Sequence, residues 1–600
     1  MASTLTASQC VLLTVHYASD GNISALHSFT PTRNDVLEPD LILRILLTYL
    51  PETLQPNLYT TYVEEVASRL YLDITREDIE VDVSPVKDIS EDVAKKRAGK
   101  IVKGLAVIKP ASFPPDAPED LLTSFLCHRA YRIDAETGLL NLVPELVEPF
   151  LTRNDFIRTW YISQVLPLLR LGFEYYPEDG EGTGLSLAQW EHVEGKKGID
   201  MLLRKSTEKY DQQGGHGARD IRGLVGPWMY GHTERKRRKV RHEGKSGRVR
   251  ETGGGDDDAM LSNMARKISL NGVSEADKTG HEWEYMYRWL VFQARKSFPL
   301  VSHAVEEWDG PGDVDLGGFA AGNNEQYLDE DVQVKLETQY AQAAFAACYA
   351  VEADTEETIR SAHGILARLA ELLDFIPPPD LATSVESLPN IAEHAFELDQ
   401  SNTLADLAPD SLLRAEHPLT TPRMETYMLL QMIVYSAYQF ASLGHPISMV
   451  RVAKLRFFTP AEEQLALLKT VLRDLSKSGA RRDEGQWNAD RAKLMWLWNW
   501  GIDTGHGAGA GAGALGKVKR EVFEKEMLGV FVETSCKCEC FAYHSATPLM
   551  SLALSFFRSN TSSCFPSDGS GRCRSRAEHR CSSWIGGEGP QLSLCHARRG

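Results

Sequence analysis

The chain has 600 residues, of which 42% are hydrophobic, and its 65 basic and 83 acidic residues give a formal net charge of −18. Enough apolar side chains are present to build large cores, which excludes a wholly disordered chain. The acidic excess disfavours a general nucleic-acid-binding protein, because phosphate backbones repel negative charge.

Cysteine usage and the N-terminus both favour the cytosol. Cys10, Cys127 and Cys348 are the only cysteines before residue 536, and disulfides are rare in cytosolic proteins. The first residues, MASTLTASQCVLLTVHYASDGN, have no basic n-region and no small-residue cleavage pattern. We therefore expect no secretory signal.

Residues 1–210 show the apolar periodicity of amphipathic helices. One apolar stripe ends where Pro51 closes a helix, and the next helix is predicted to begin near Tyr59. A second stripe runs through RNDFIRTWYISQVLPLLRLGFEYYP, where Asn154 or Asp155 can cap the helix. Pro167 removes one backbone donor inside this pattern and is expected to kink the helix.

Breaks in this pattern set the predicted domains. Residues 1–210 and 281–506 are predicted to form helical solenoid, separated by a largely disordered, glycine-rich and basic insert at 211–280. The repeat GAGAGAGA lies in a linker, residues 507–516, that we expect to bury no surface. A helix then starts at 517–529, and residues 530–600 form an atypical non-helical tail rich in cysteine and serine.

The insert contains a dense basic run, RKRRKVRHEGKSGRVR, at residues 235–250. We interpret it as a solvated loop, because charge blocks commonly stay disordered. A nuclear-localisation signal and a contact with anionic lipid headgroups are the alternatives. The GKS within it is not a nucleotide-binding loop, since Lys239 stands where that motif requires glycine.

The segment EEWDGPGDVDLGG, residues 306–318, is the strongest candidate for chemistry. A calcium loop starting at Asp313 would have Asp315 and Gly318 in place, but Gly317 and Asn324 stand where carboxylate ligands are needed. A phosphate site is disfavoured, because three aspartates would repel the anion. We interpret the segment as a tight connection between a helix ending at Trp308 and one near Tyr327.

Two further segments require a choice between interpretations. Residues 426–444 contain no charge, yet Gln431, Ser436, Gln439 and Ser442 favour a buried helix over a membrane span. The tail has the ligand types of a zinc site, but CKCEC spaces its cysteines more closely than zinc modules do. We interpret residues 530–600 as foreign to the fold, with a zinc-binding appendix as the alternative.

The repeated amphipathic helices predict an all-α protein, an elongated α-solenoid of stacked antiparallel helix pairs. The sequence contains no G-x-S-x-G elbow, no H-E-x-x-H motif and no dinucleotide fingerprint. We accordingly assign no catalytic, cofactor-binding or metal-binding residues and predict that the protein is not an enzyme. A large irregular helical bundle is the alternative architecture.

Four segments taken together resemble the Sec thirty-nine domain family of fungal secretory-pathway proteins, over roughly residues 5 to 530. They are LILRILLTYLPETLQPNLYTTYVEEV, ETGLLNLVPELVEPFLTRNDFIRTWYISQVLPLLRLGFEYYP, ARDIRGLVGPWMYG and VEEWDGPGDVDLGG. The resemblance implies a solenoid subunit of the Dsl tethering complex, peripheral on the cytosolic face of the endoplasmic reticulum (ER). It also implies binding to a partner tether subunit and to the N-terminal regions of ER SNAREs, in the capture of COPI vesicles from the Golgi.

This chain departs from the family pattern near its end. Family members continue as helix pairs beyond KEMLG, so we expect part of the C-terminal solenoid to be missing. A nuclear scaffold that uses residues 235–250 for import and a zinc-bearing regulatory protein are the rival functions.

Overall fold

A computed structural model describes residues 5–71, 81–109, 120–179, 184–208, 216–234, 281–320, 328–389, 407–477, 484–502 and 511–539. Within these ranges the regular structure is helical and no strand occurs. The prediction of an all-α solenoid is confirmed. The basic run at 235–250 and the cysteines from Cys540 onward lie outside the described residues.

The helices of the first 210 residues are mostly short. They are α1 Ala7–Ser19, α2 Ile23–Phe29, α3 Pro39–Tyr49, α4 Thr60–Ser68, α5 Ser84–Lys87, α6 Glu91–Gly104, α7 Leu121–Thr137, α8 Val143–Val147, α9 Asp155–Trp160, α10 Leu166–Leu169, α11 Leu187–Trp190, α12 Gly195–Leu202 and α13 Arg204–Glu208. The chain around Pro167 stays helical, but π-helical turns at Tyr161–Val165 and Arg170–Tyr175 flank it. The first of these turns contains Ser163, four residues before the proline, and its wider geometry relieves the crowding that the Pro167 ring imposes there.

Most of the later helices are longer. They are α14 Gly217–Asp220, α15 His281–Ala294, α16 Phe298–Glu307, α17 Glu330–Ala350, α18 Glu356–Leu373, α19 Pro409–Leu412, α20 Met424–Ser442, α21 Met449–Phe457, α22 Ala461–Lys477, α23 Glu484–Asn499 and α24 Arg520–Glu539. A π-helical turn, Ile221–Val225, continues α14, and residues 226–234 are again α-helical.

Helix α18 illustrates why the sequence folds as it does. Thr355 caps its start by accepting a hydrogen bond from the Thr358 backbone N–H at 3.2 Å. Ile359, Ala362 and Leu366 then recur at helical spacing and are buried. The helix ends at Asp374, whose φ of 54° is left-handed.

Successive helices alternate between two stacked layers in the second half of the chain. In one layer α12, α15, α17 and α21 pack in sequence, and in the other α14, α16, α18, α20 and α23 do so. Each helix thus covers the apolar stripe of its neighbour, which is the packing of a solenoid.

Helix α20, predicted as a buried helix, is buried on nearly all sides. Its Ser436 hydroxyl accepts a hydrogen bond from Trp500 Nε1 at 2.9 Å, so its polar groups have partners in the core. No helix among the described residues combines the length and the hydropathy that a membrane crossing needs.

The predicted insert begins too early at residue 211. Residues 217–234 are helical, and Ile221, Leu224 and Trp228 are buried. The disordered-insert prediction is therefore wrong for this helix, because the charge run after residue 234 dominated the composition of the whole segment. Apolar spacing inside ARDIRGLVGPWMYG was the better guide.

The predicted linker at 507–516 is also wrong from residue 511 onward. Ala514 and Leu515 are fully buried, and Gly513 N–H donates to the Trp498 carbonyl at 2.8 Å. A Cβ on Gly513 would lie 2.3 Å from a backbone carbonyl oxygen, so only glycine fits there. The glycines and alanines allow a close backbone approach to α23 and pack as core.

The chain divides into two compact units, Met1–Phe523 and Glu524–Gly600. In the second unit the structure describes residues 524–539, and all of them are helical. Helix α24 therefore continues to Glu539, ten residues past the predicted end of the helix at residue 529. The prediction of a non-helical tail from residue 530 is wrong for this stretch.

Candidate functional site

The glycine-rich segment at 306–318 follows α16 and is anchored by Trp308. This indole is fully buried, stacks on Trp283 with ring centroids 5.7 Å apart, and meets Tyr340 edge-on at 4.8 Å. Its Nε1 donates to the Asp313 carbonyl at 3.0 Å, which folds the segment back on itself. The segment connects helices, as predicted.

Each of the three aspartates in this segment is paired with an arginine from a different part of the chain. Asp313 binds Arg222 with an Nη2–Oδ2 distance of 2.6 Å, Asp315 binds Arg170 at 2.8 Å, and Asp309 pairs with Arg368. Arg170 and Arg222 lie in π-helical turns, and Arg368 lies in α18. We call these six residues the aspartate clamp.

Backbone hydrogen bonds reinforce the aspartate clamp. Arg170 Nη1 donates to the carbonyls of Gly223 and Asp315 at 2.8 and 2.7 Å. Asp315 N–H donates to the Arg222 carbonyl at 2.9 Å, and Arg222 Nη2 donates to the Glu307 carbonyl at 3.0 Å. Because the Arg170 side chain is only 7% exposed, the two bonds that it donates are shielded from water.

Glycines bring the helical segments of the aspartate clamp close together. A Cβ on Gly223 would lie 2.1 Å from the Tyr175 hydroxyl, and one on Gly231 would lie 2.1 Å from Ser163 Cβ. Residues 217–234 therefore cross residues 161–175 at positions where no larger side chain fits. This contact explains Gly223 and Gly231 of GLVGPWMYG, whereas a Cβ on Gly226 would meet Val314 at 2.8 Å.

The site is suited to holding helices together. All three carboxylates bind arginines, and Asp313 and Asp315, which a calcium loop would use, are among them. Asn324 lies outside the described residues. Among the residues that the structure does describe, no group of three or more His, Cys, Asp or Glu side chains is placed to hold a metal ion.

The three cysteines of the helical body are buried free thiols. Burial raises the pKa of Cys10, Cys127 and Cys348 above the ordinary value of a thiol. These side chains are therefore protonated near neutral pH. Cys127 and Cys348 pack as small apolar groups, whereas Cys10 Sγ accepts a hydrogen bond from Arg33 Nη1 at 2.9 Å.

Sequence reasoning found the aspartates but missed their partners. Arg170 follows four apolar or proline residues in LPLLR, and Arg222 stands between apolar residues in DIRGL. A cation within an apolar helical stripe is the signal that an acidic partner lies nearby in the fold. The sequence alone does not reveal which acidic residue is the partner, because Asp315 lies 145 residues after Arg170.

The family model for secretory pathway protein Sec39 matches residues 11–561. The chain belongs to this family. The match includes all six residues of the aspartate clamp and both helical layers. No curated protein sequence matches the chain.

Membership of the Sec39 family gives the chain a role in the secretory pathway. The match also extends past residue 530 to residue 561. Residues 530–561 thus fall within the family pattern, which disagrees with their interpretation as sequence foreign to the fold.

Proposed function

We propose that the chain is a non-catalytic scaffold subunit of a vesicle-tethering complex on the cytosolic face of the ER. In this role it acts in retrograde transport of COPI vesicles from the Golgi, by binding a partner tether subunit and the N-terminal regions of ER SNAREs. The observation that carries the proposal is the family match over residues 11–561. Its association with the membrane runs through these partners.

The helical architecture supports a mechanical role. Stacked helices lie about 10 Å apart, so each added layer extends the reach of the scaffold. The aspartate clamp joins residues on both sides of residues 235–280, with Arg170 and Arg222 before them and Asp313 and Asp315 after them. A scaffold of this kind sets the distance and the orientation between its binding partners. The clamp keeps the helices before residue 235 and those after residue 280 in a fixed orientation.

An exposed aromatic pair supports recognition of partner helices. Tyr285 and Phe292 of α15 are 38% and 42% exposed, and their spacing of seven residues places them on one face. Exposed aromatic side chains are the anchors that helix-in-groove interfaces favour. The Lys196 ammonium lies 5.7 Å from the Phe292 ring centroid, so the same face offers positive charge to an acidic partner.

Affinity capture of the tagged full chain from cell extract, followed by mass spectrometry, tests this proposal. We expect the other tether subunits and ER SNAREs to be recovered. A Tyr285→Ala/Phe292→Ala variant should recover less of at least one of them, while Val334→Ala, a change at an exposed side chain on α17, should not.

Microscopy of the same tagged chain separates the proposal from a nuclear scaffold. We expect an ER pattern that is unchanged when residues 235–250 are deleted. A nuclear pattern that is lost on this deletion, together with capture of nuclear proteins, would instead favour the scaffold that uses the basic run for import.

A further inference from the structure

Helix α6, EDVAKKRAGKIVKG, presents a strongly basic outer face on an acidic protein. It carries five basic residues against two acidic ones, whereas the whole chain has a net charge of −18. All five are exposed, and they are Lys95, Lys96, Arg97, Lys100 and Lys103.

None of these five cations has an ion-pair partner within the part of the chain that the structure describes. Exposed arginines elsewhere among the described residues do have partners. Arg360 pairs with Glu356 at 2.6 Å, and Arg295 pairs with Glu352 at 2.7 Å. The basic face of α6 is therefore a local exception and does not follow from a general shortage of carboxylates.

The helical geometry gathers three of the lysines into one stripe. Lys96, Lys100 and Lys103 are spaced at i, i+4 and i+7, and so lie on one side of α6. The opposite side buries Ala94 and Ala98 and packs against α1. The ammonium groups thus point away from the protein body.

The C-terminal end of α6 is fixed to the body by buried contacts. Leu105 and Ile108 are buried just after it. Arg44 Nε donates to the Ala106 carbonyl at 3.1 Å, and Ala106 N–H donates to Thr48 Oγ1 at 3.0 Å. The basic face is consequently a preorganised surface, which lowers the ordering cost of binding.

Like charges at i and i+4 destabilise a helix, so this arrangement opposes folding until an anion neutralises it. The sequence of α6 contains no aromatic residue, and aromatic anchors are what a protein partner would be expected to engage. Val93 and Val107, 43% and 62% exposed, flank the cations instead. A flat, anionic and partly apolar surface fits this face best.

We propose that α6 binds the phosphates of anionic lipid headgroups and so places this chain directly on a bilayer surface. The three lysines of the stripe reach the headgroups, while Val93 and Val107 lie at the interface with the acyl chains. Because the rest of the protein is acidic, anionic lipid repels it, and α6 determines which side faces the membrane. This contact is additional to any membrane association through partners, and it does not depend on the tethering role.

Flotation of the purified full chain with vesicles tests the proposal. The wild type should float with phosphatidylcholine vesicles that contain phosphatidylserine, should not float with pure phosphatidylcholine, and should be released by high salt. Each basic residue strengthens binding to such a surface about fivefold, so Lys96→Gln/Lys100→Gln/Lys103→Gln should lower the partition coefficient roughly a hundredfold.

Matched variants make the test specific. Lys454→Gln/Lys469→Gln/Lys477→Gln removes three exposed cations from other helices and should float like the wild type. Deleting residues 235–250 should leave flotation largely unchanged. Circular dichroism of each variant checks that the helices are retained.

Three results would overturn the proposal. The first is a wild-type chain that fails to float with anionic vesicles, in which case α6 would bind an acidic protein instead. The second is a stripe variant that floats like the wild type, and the third is a deletion of 235–250 that alone abolishes flotation. None of these results bears on the capture of tether subunits, so the two proposals fail separately.

Discussion

The aspartate clamp and helix α6 use charge in opposite ways. In the clamp each of three aspartates binds an arginine, and Arg170 is only 7% exposed. On α6 five cations are exposed, and none has an ion-pair partner among the described residues. Paired and buried charge fixes helices to one another, whereas unpaired and exposed charge is available to a ligand.

The difference follows from the cost of desolvation. A buried charge without its partner is strongly destabilising, and in the clamp this applies above all to Arg170, which is 7% exposed. An exposed lysine keeps its water and is screened by salt, so its removal costs the fold little. Substitutions in the two regions should therefore change the free energy of unfolding by different amounts. Glycine-to-alanine substitutions in the two regions should change it in opposite directions.

Arg170→Ala should give the largest effect. It leaves the carbonyls of Gly223 and Asp315 without their donor in a shielded site, and we expect the free energy of unfolding to fall by about 2–4 kcal/mol. Urea-induced unfolding measures this change. Arg360→Ala, at a 70% exposed arginine, is the matched control and should change it by no more than about 0.5 kcal/mol. Equal losses in the two variants would show that the clamp has no special role.

Gly223→Ala should weaken the clamp by steric overlap. The new methyl group would meet the Tyr175 hydroxyl at 2.1 Å, and forcing the two segments apart should cost about 1–3 kcal/mol of unfolding free energy. Thermal unfolding followed by circular dichroism provides the measurement. A combined Gly223→Ala/Tyr175→Phe variant should recover part of the loss, and no recovery would place the strain elsewhere.

A glycine-to-alanine substitution on α6 should have the opposite effect on stability. No heavy atom lies within 4 Å of a Cβ placed on Gly99, and alanine favours a helix interior over glycine by roughly 0.5–1 kcal/mol. Gly99→Ala should therefore stabilise the protein slightly in the same thermal assay. A loss of stability would mean that α6 is packed more tightly than its exposure indicates.

The stripe variant Lys96→Gln/Lys100→Gln/Lys103→Gln should have the smallest effect on stability. Relief of like-charge repulsion should raise the unfolding free energy by a few tenths of a kcal/mol, about 0.2–0.5 per pair. The gain should shrink as salt is added, because the repulsion is screened. A loss above about 1 kcal/mol, well beyond the usual range for surface substitutions, would show that the lysines support the fold.

Much of the fold could be predicted because helical periodicity is a local signal. The boundary at Pro51, the start of α4 one residue after Tyr59, and the burial of α20 all follow from spacing within about twenty residues. The interpretation of residues 306–318 as a connection succeeded for a similar reason. Its closely spaced glycines and proline favour a turn through local backbone geometry.

The errors arose where a distant partner decides the structure. GAGAGAGA has the composition of a linker, yet Gly513 hydrogen-bonds to Trp498 and fits only because it lacks a side chain. Residues 217–234 pack closely against Tyr175 and Ser163 because Gly223 and Gly231 have no side chain. The composition of a segment is an average and does not indicate single contacts of this kind. For the same reason it did not indicate that Arg170, Arg222 and Arg368 pair with the aspartates of the clamp.

Hydrogen–deuterium exchange of Arg170→Ala against the wild type tests most directly whether the clamp is a joint between helices. We predict that exchange becomes faster in all three segments, residues 166–175, 217–234 and 308–318, and that exchange in residues 91–104 is unchanged. Exchange that rises only beside residue 170, or not at all, would contradict the claim that paired charge holds these three segments together.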